Sequence, residues 1–299
     1  MSTVRAVPVN GLELSLSDTQ ANIIASVYQH RLLSTAQIAV LHTTPGVHVR
    51  WAQRLLRGLE ERGWLTRVQG RPPGRQSLWF VTAAAAEIEG GDLTARPYRM
   101  TAQQATGVLQ AHTLAVNDIG VAFVAAARRL GHDCTPRDWH HEIAHRLTDR
   151  AGPGQRSDLV VDALLSCTVR EDGKESVALR FVELDRATES AMTLNAKLRG
   201  YAALHAYEPK VPAWGWRARY RSFPKVMLVL TGRPEADLER RRVTLLELCR
   251  TDPALTRVAE PLGISITLLP DLQRHGAFAP IFLRPGNPDI PVDLFGRCP

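Results

Sequence analysis

Two stretches decide how this chain is read: Ser157–Leu165, SDLVVDALL, and Ala178–Tyr201, ALRFVELDRATESAMTLNAKLRGY. Each carries an apolar run of strand length with an acidic residue at one end. Side chains alternate across a strand, so Glu183 and Asp185 share one face while Val182 and Leu184 share the other. Asp158 opens the neighbouring strand, and Asp162 lies on the same face of that strand as a substitute ligand. From Thr188 the pattern turns helical, and Glu189, Thr193, Lys197 and Tyr201 fall at i, i+4 spacing on one stripe. Three carboxylates and one amine from two strands and a helix are the parts of a metal site for cutting phosphodiesters. Asp158, Glu183 and Asp185 are the hard oxygen ligands that suit Mg2+ or Mn2+. Such an ion polarises a phosphate and lowers the pKa of an attacking water. Lys197 would stabilise the charge that develops, and Tyr201 would orient it. The plain alternative is a βα unit with solvated ends.

Working outward toward the N-terminus, the sequence predicts three helices and a hairpin. Leu16–Arg31 is the first helix, capped by Ser17 or Asp18, with Ile23, Ile24, Val27 and Tyr28 at helical spacing. Ser34 caps a second, TAQIAVLH. The third runs from about residue 47 to 62, with Leu55, Leu56 and Leu59 as its core stripe and Gly63 as its C-cap. Residues 64–68 and 77–81 are short β-like runs around QGRPPGRQ, a turn rich in Pro and Gly. Three helices and a hairpin in this order resemble a winged helix-turn-helix. That resemblance sends the third helix into the major groove of double-stranded DNA with His48, Arg50, Gln53, Arg54 and Arg57 outward. It puts Arg71 and Arg75 of the wing near phosphates or the minor groove. Charge supports the reading. The chain carries a formal +7 and an isoelectric point near 9.6. Between Arg50 and Arg75, seven arginines stand against Glu60 and Glu61, a net +5 in one short stretch. The alternative is a winged helix used for protein contacts, with its arginines merely solvated.

Residues 83–100 read as a linker, and Thr101–Leu130 as one long helix. Residues 141–145, HEIAH, match the zinc-peptidase pattern HExxH. On a helix it would set His141 and His145 one turn apart around zinc, with Glu142 as general base. The motif is short, no third histidine follows at peptidase spacing, and Gly152-Pro153-Gly154 would soon break the helix. A zinc peptidase is the third reading of the chain.

The predicted order after residue 104 is helix, strand near 139–143, strand 158–165, strand 177–184, helix 188–207, strand 225–230, helix 235–250, strand 264–269. This αβββαβ order resembles the restriction-endonuclease-like, or PD-(D/E)XK, fold. With the winged helix ahead of it, the chain is similar to the replication-relaxation family of actinobacterial plasmids and integrative elements. The resemblance rests on Trp139 and Glu142, on Ser157-Asp158, on FVELDRAT at 181–188 and on KLRGY at 197–201. It implies Glu142 as a further catalytic residue beside Asp158, Glu183, Asp185, Lys197 and Tyr201. Two positions depart from the nuclease pattern: Ser157 replaces a proline, and Asp185 stands where a lysine is usual, so the lysine role passes to Lys197.

The fold class expected is therefore mixed α/β, α+β overall. A winged helix-turn-helix spans residues 15–90, a linker 91–103, and a nuclease-like domain with an extended C-terminal tail 104–299. The function implied is metal-dependent nicking or relaxation of plasmid DNA in replication or conjugative transfer, alongside other plasmid proteins. A catalytically inactive regulator or adaptor on the same fold is the alternative. Composition fits these readings. No apolar run approaches the roughly 20 residues of a membrane helix, and the start of the chain lacks a signal-like core, which predicts a cytoplasmic protein. Four dispersed cysteines show no CxxC spacing, so reduced thiols are expected. The sequence sets no oligomeric state; a dimer is compatible with it.

Overall fold

The computed structural model describes residues 4–9, 12–43, 49–70, 76–89, 100–107, 109–149 and 158–298. The chain divides into two compact units, Met1–Val121 and Ala122–Pro299.

In the first unit, β1 (Val4–Val9) and β2 (Leu12–Ser17) pair antiparallel. Ser17 then starts α1 (Asp18–His30) through a capping box. Its hydroxyl accepts from the Gln20 amide, and the Gln20 side chain accepts from the Ser17 amide. After β3 (Leu33–Ser34), Ser34 and Gln37 open α2 (Thr35–His42) in the same way. Gln37 is used twice, since its Nε2 also donates to the Leu114 carbonyl at 2.9 Å and to Asp118 at 2.7 Å. There follow α3 (Val49–Glu61), β4 (Leu65–Gln69) and β5 (Ser77–Val81), with the three strands in the order β3-β5-β4. Ile23, Ile24, Val27, Ile38, Leu56, Leu59 and Trp79 are buried between these helices and the sheet. This is the winged-helix arrangement. The stretch read as linker is helical at its start, as α4 (Ala83–Glu89), because alanine is the best helix former. The long helix expected from residue 101 is interrupted. A one-turn α5 (Ala102–Ala105) stops short of Gly107, and α6 (Gln110–Leu130) follows.

The second unit is built on a seven-stranded sheet. Three strands come first: β6 (Trp139–Arg146), β7 (Asp158–Glu171) and β8 (Lys174–Asp185). They pair antiparallel, and β7 and β8 form one long hairpin turned at Asp172-Gly173. Parallel strands need a crossover. The first is α7 (Ala191–Ala206), capped by the Ser190 hydroxyl, which leads to β9 (Lys225–Leu230). The second is α8 (Glu235–Thr251) with the short α9 (Pro253–Thr256) and α10 (Ala259–Leu262), leading to β10 (Ser265–Leu268). After α11 (Leu269–His275), β11 (Phe282–Arg284) and β12 (Asn287–Val292) extend the sheet antiparallel, giving the order β12-β11-β10-β9-β8-β7-β6. The C-terminal residues read as a tail are thus partly sheet. Val226–Leu230 is fully buried, as a strand covered on both faces must be. Leu194, Leu198 and Tyr201 of α7 pack with Phe181 and Leu228 in the main core.

The HEIAH motif lies on β6, not on a helix. Along a strand, residues four apart are about 13 Å apart, so His141 and His145 cannot share one zinc ion. His145 is instead buried edge-on against Phe181, with ring centres 5.1 Å apart. The peptidase geometry is not formed.

Candidate active site

The site lies where β7 and β8 part. Their ladder runs from Glu171–Lys174 to Ala163–Val182 and ends there. Two residues further along β8, the Leu184 amide donates to the Asp162 side chain at 2.8 Å in place of a backbone carbonyl. Asp162 thereby fills the mouth between the strands. Beside it Glu183, 1% exposed, points toward α7. The Lys197 ammonium reaches both carboxylates, bonding Glu183 closely and lying 3.3 Å from Asp162. Tyr201, one turn on, donates its hydroxyl to the other Glu183 oxygen. Lys197 and Tyr201 meet one carboxylate because residues four apart stack on a helix face.

The electrostatics follow from burial. Burial, and then the Asp162 charge, push the Glu183 acid up to about 8 although Lys197 and Tyr201 pull it down. Burial lowers Lys197, but the two carboxylates outweigh it and hold the ammonium above its ordinary range. Burial and Glu183 likewise raise the Tyr201 phenol well above its usual value. Removal of Lys197 would leave two carboxylates facing each other in a dry site.

The six catalytic residues named from the sequence are not all brought together. Glu183, Lys197 and Tyr201 form the cluster. Asp158 is exposed at the outer end of β7, opposite Arg146 of β6 and four residues from Asp162. It is Asp162 that stands with Glu183. Asp185 is buried on the same face as Glu183 but has its own partners: Arg241 of α8 holds it by Nε and Nη2, and the Ala187 amide donates to it at 2.9 Å. Glu142 sits between the ladder pairs His141–Ala163 and Ile143–Val161, so it lies opposite Asp162. Its φ of 51° is left-handed, as is that of Ala187 at 51° just past Asp185. Such conformations cost of order 1–3 kcal/mol in residues with a side chain, and they cluster at functional sites. These two flank the cluster.

Two features escaped the sequence reading. Arg241 belongs to an arginine triplet that resembles a solvated helix face; only the tertiary fold shows it neutralising Asp185. The second is a basic and aromatic surface. The Arg146 guanidinium lies 4.2 Å from the ring centre of Trp214, which is 43% exposed. Arg217 stacks on Trp216 at 4.5 Å, and Arg219 donates to the Ala144 carbonyl. Tyr220 adjoins His145 and Phe181, whose ring in turn meets Tyr201. Interleaved arginines and aromatic rings in WGWRARY were the available signal.

In the first unit, α3 buries Ala52, Leu56 and Leu59 and exposes Arg50, Gln53, Arg54 and Arg57 on one stripe. Among the described residues these three arginines have no ion-pair partner, whereas Arg67 of β4 lies 3.6 Å from Glu60. His48, Arg71 and Arg75 lie outside the described residues.

No group of three or more His, Cys, Asp or Glu side chains converges on one point among the described residues. Asp162 and Glu183 are two hard oxygen donors, Glu183 once its raised acid has given up its proton, which is enough for an ion that keeps several waters and takes its remaining ligands from phosphate. The donor chemistry therefore fits Mg2+ or Mn2+ at Asp162 and Glu183, with Asp185 already saturated by arginine.

A family model described as replication-relaxation matches residues 24–215. No curated protein and no solved structure matches the chain.

Two outcomes follow from these contacts. Lys197→Met should destabilise the second unit by about 3 kcal/mol, the low end for breaking a buried ion pair, because Lys197 is still 29% exposed. Adding Asp162→Asn should recover much of that loss, and urea melts of the two variants measure it. His145 provides the pH test. Burial, then Arg219, lowers its imidazolium to about 4 from an ordinary 6.5. A depressed histidine is neutral in the fold and charged when unfolded. Its stability contribution is thus present above pH 6.5 and lost as pH falls toward 4, on the order of 3 kcal/mol in all. His145→Phe should remove that part of the acid sensitivity, read as a smaller fall in melting temperature between pH 7 and 4.5.

Proposed function

Given that the chain belongs to the replication-relaxation family, we propose that it binds and nicks double-stranded DNA of a plasmid or other mobile element. The observation that carries the cutting activity is the Lys197 ammonium held between Asp162 and Glu183 where two strands part. Carboxylates beside a cation at a strand opening are the groups that phosphodiester hydrolysis requires. A bound Mg2+ or Mn2+ would polarise the scissile phosphate and lower the pKa of the attacking water. The chain's own residues do the rest. Lys197 offsets the charge gathering on the phosphoryl oxygens, and the Tyr201 hydroxyl fixes the rotamer of Glu183. Asp162 is fixed by the Leu184 amide, so both carboxylates are set before substrate arrives.

DNA contact has two supports. The exposed stripe of Arg50, Gln53, Arg54 and Arg57 on α3 matches the face that a winged helix turns to the major groove. In the second unit, the exposed ring of Trp214 with Arg146, and the exposed Arg217 over the buried Trp216, offer a ring and cations, the two means by which proteins hold unpaired strands. A nicked or relaxed duplex exposes such strands. The second reading, a regulator that binds DNA without cutting, is favoured by one observation: Lys197 already neutralises the cluster.

Supercoiled plasmid incubated with the protein and Mg2+ or Mn2+ should convert to open circles. Asp162→Asn and Glu183→Gln should each lower that rate at least a hundredfold, while Asp158→Asn should leave it within a factor of two. Equal loss with Asp158→Asn would move the site. Binding without conversion in any metal would establish the regulator instead. Separately, Arg50→Ala with Arg54→Ala should weaken duplex binding and reduce the slope of log affinity against log salt by about 1.8, or 0.9 for each lost phosphate contact. An unchanged slope in a filter-binding titration removes α3 from the interface.

A further inference from the structure

At the opposite end of the central strands from the carboxylate cluster lies a cavity of about 480 Å3. Its walls include Lys225 at the start of β9, Arg284 at the end of β11, Asn287, and the apolar side chains of Cys249, Leu255 and Ile264. The volume falls within the range of small-molecule sites. It is three residues along β8 from Glu183 to Arg180, about 10 Å, and Arg180 is the ladder partner of Lys225.

Charge makes this cavity unusual. Arg180 is 6% exposed and, among the described residues, donates to no carboxylate but to two carbonyls, those of Leu179 at 2.9 Å and Leu294 at 2.6 Å. Burial, then the charge of Arg284, lowers its guanidinium to about 10. Lys225 donates to the Glu260 carbonyl at 2.6 Å, and its nearest carboxylate is Glu260 itself, 3.8 Å away and 94% exposed. Arg284 makes no hydrogen bond or ion pair among the described residues, and its Nε is buried without a partner. Two cations, Lys225 and Arg284, thus line one cavity with a third, Arg180, beside it; Glu260 is solvated, and Asp293, whose charge reaches Arg180, is already paired with Arg297. Cations withdrawn from water are retained only where something compensates them.

The backbone makes room for two of these cations. Gly263, at φ 49°, lies so close under the Lys225 stem that a Cβ there would meet its Cδ at 2.7 Å. Gly296, at φ 85°, lies against the Arg284 guanidinium, where a Cβ would collide with it. Both positions are therefore kept free of a side chain where the two cations lie.

We propose that this cavity binds a small organic phosphate, its phosphoryl group between Lys225 and Arg284 and its less polar part against Cys249, Leu255 and Ile264. The Nη donors of a guanidinium suit phosphoryl oxygens, and lysine adds a point charge. Asn287 at the rim supplies both a donor and an acceptor. The apolar wall distinguishes an organic phosphate from the bare ion. The same chemistry could come from a free nucleotide or from the 5′-phosphate of a DNA strand, so the assay separates the two.

The test is calorimetric titration of the full chain with deoxyadenosine monophosphate, deoxyadenosine, inorganic phosphate and a 5′-phosphorylated or 5′-hydroxyl oligonucleotide. The monophosphate should bind at least tenfold more tightly than inorganic phosphate, and deoxyadenosine should not bind. Arg284→Gln should weaken the monophosphate at least tenfold while leaving the melting temperature of the free protein unchanged or higher, since it removes a cation that repels Arg180. Lys225→Gln provides a second reading of affinity if Arg284→Gln does not fold. Preference for the 5′-phosphorylated oligonucleotide over its hydroxyl form, lost in Arg284→Gln, would assign the phosphate to a strand end. Affinity unaffected by either substitution, or equal binding of deoxyadenosine, would overturn the proposal. These titrations need no strand cutting, so they stand or fall apart from the carboxylate cluster.

Discussion

The second unit depends on one constraint: Glu183 is buried on the face of its sheet and must be met there by a cation. A carboxylate taken out of water is held only by a partner and hydrogen bonds. The β8 strand cannot supply that partner, because the residue that shares the face of Glu183 two positions on is Asp185, a second acid. Both counter-charges come from the crossover helices. Lys197 of α7 answers Glu183 and Asp162, and Arg241 of α8 answers Asp185. The phase of each helix about its axis is thus tied to a charge on β8. Apolar packing alone would let either helix slide with little change in buried area.

This division explains how an E-x-D strand can hold an intact cluster. Without Arg241, Asp185 would add a third negative charge to a site with one ammonium, and the neighbouring acids would be driven toward protonation. With it, Asp185 is spent on the joint between β8 and α8. Lys197 answers only Glu183 and Asp162. The lysine lost from the strand has in effect been replaced twice, once near the cluster and once for the acid that took its place.

Much of the fold was legible in the sequence because its elements are locally self-consistent. Ser17 and Ser34 with Gln20 and Gln37 three residues on mark helix starts, and KVMLVL is strand-like in length and composition. The helix, strand and crossover order came through for the same reason. Within the site, Glu183, Lys197 and Tyr201 were legible from alternation and i, i+4 spacing. The partner from β7 was not. Asp158 and Asp162 share a face, and alternation cannot choose between them; the choice is made by where β7 and β8 separate, a tertiary feature. HEIAH misled for a related reason. Its spacing means one helical turn or about 13 Å of strand, and burial of Trp139 and His145 against the sheet selects the strand. The closing strands β11 and β12 were hidden by proline, which sits readily at a sheet edge.

The strand RFVELD also shows why one element can serve two sites of opposite sign. Alternation sends Arg180 and Glu183 to opposite sides of β8, three residues apart, so neither can neutralise the other. Each needs outside compensation. At the Glu183 end the protein provides it from α7. At the Arg180 end Lys225 and Arg284 are cations as well, and the acid whose charge reaches Arg180, Asp293, is already paired with Arg297. A fold that compensates the acids at one end of a strand and gathers Arg180, Lys225 and Arg284 at its other end has placed a positive field beside a half-open cavity. An anion entering that space gains from Lys225 and Arg284 on its wall and from the field of Arg180 behind them.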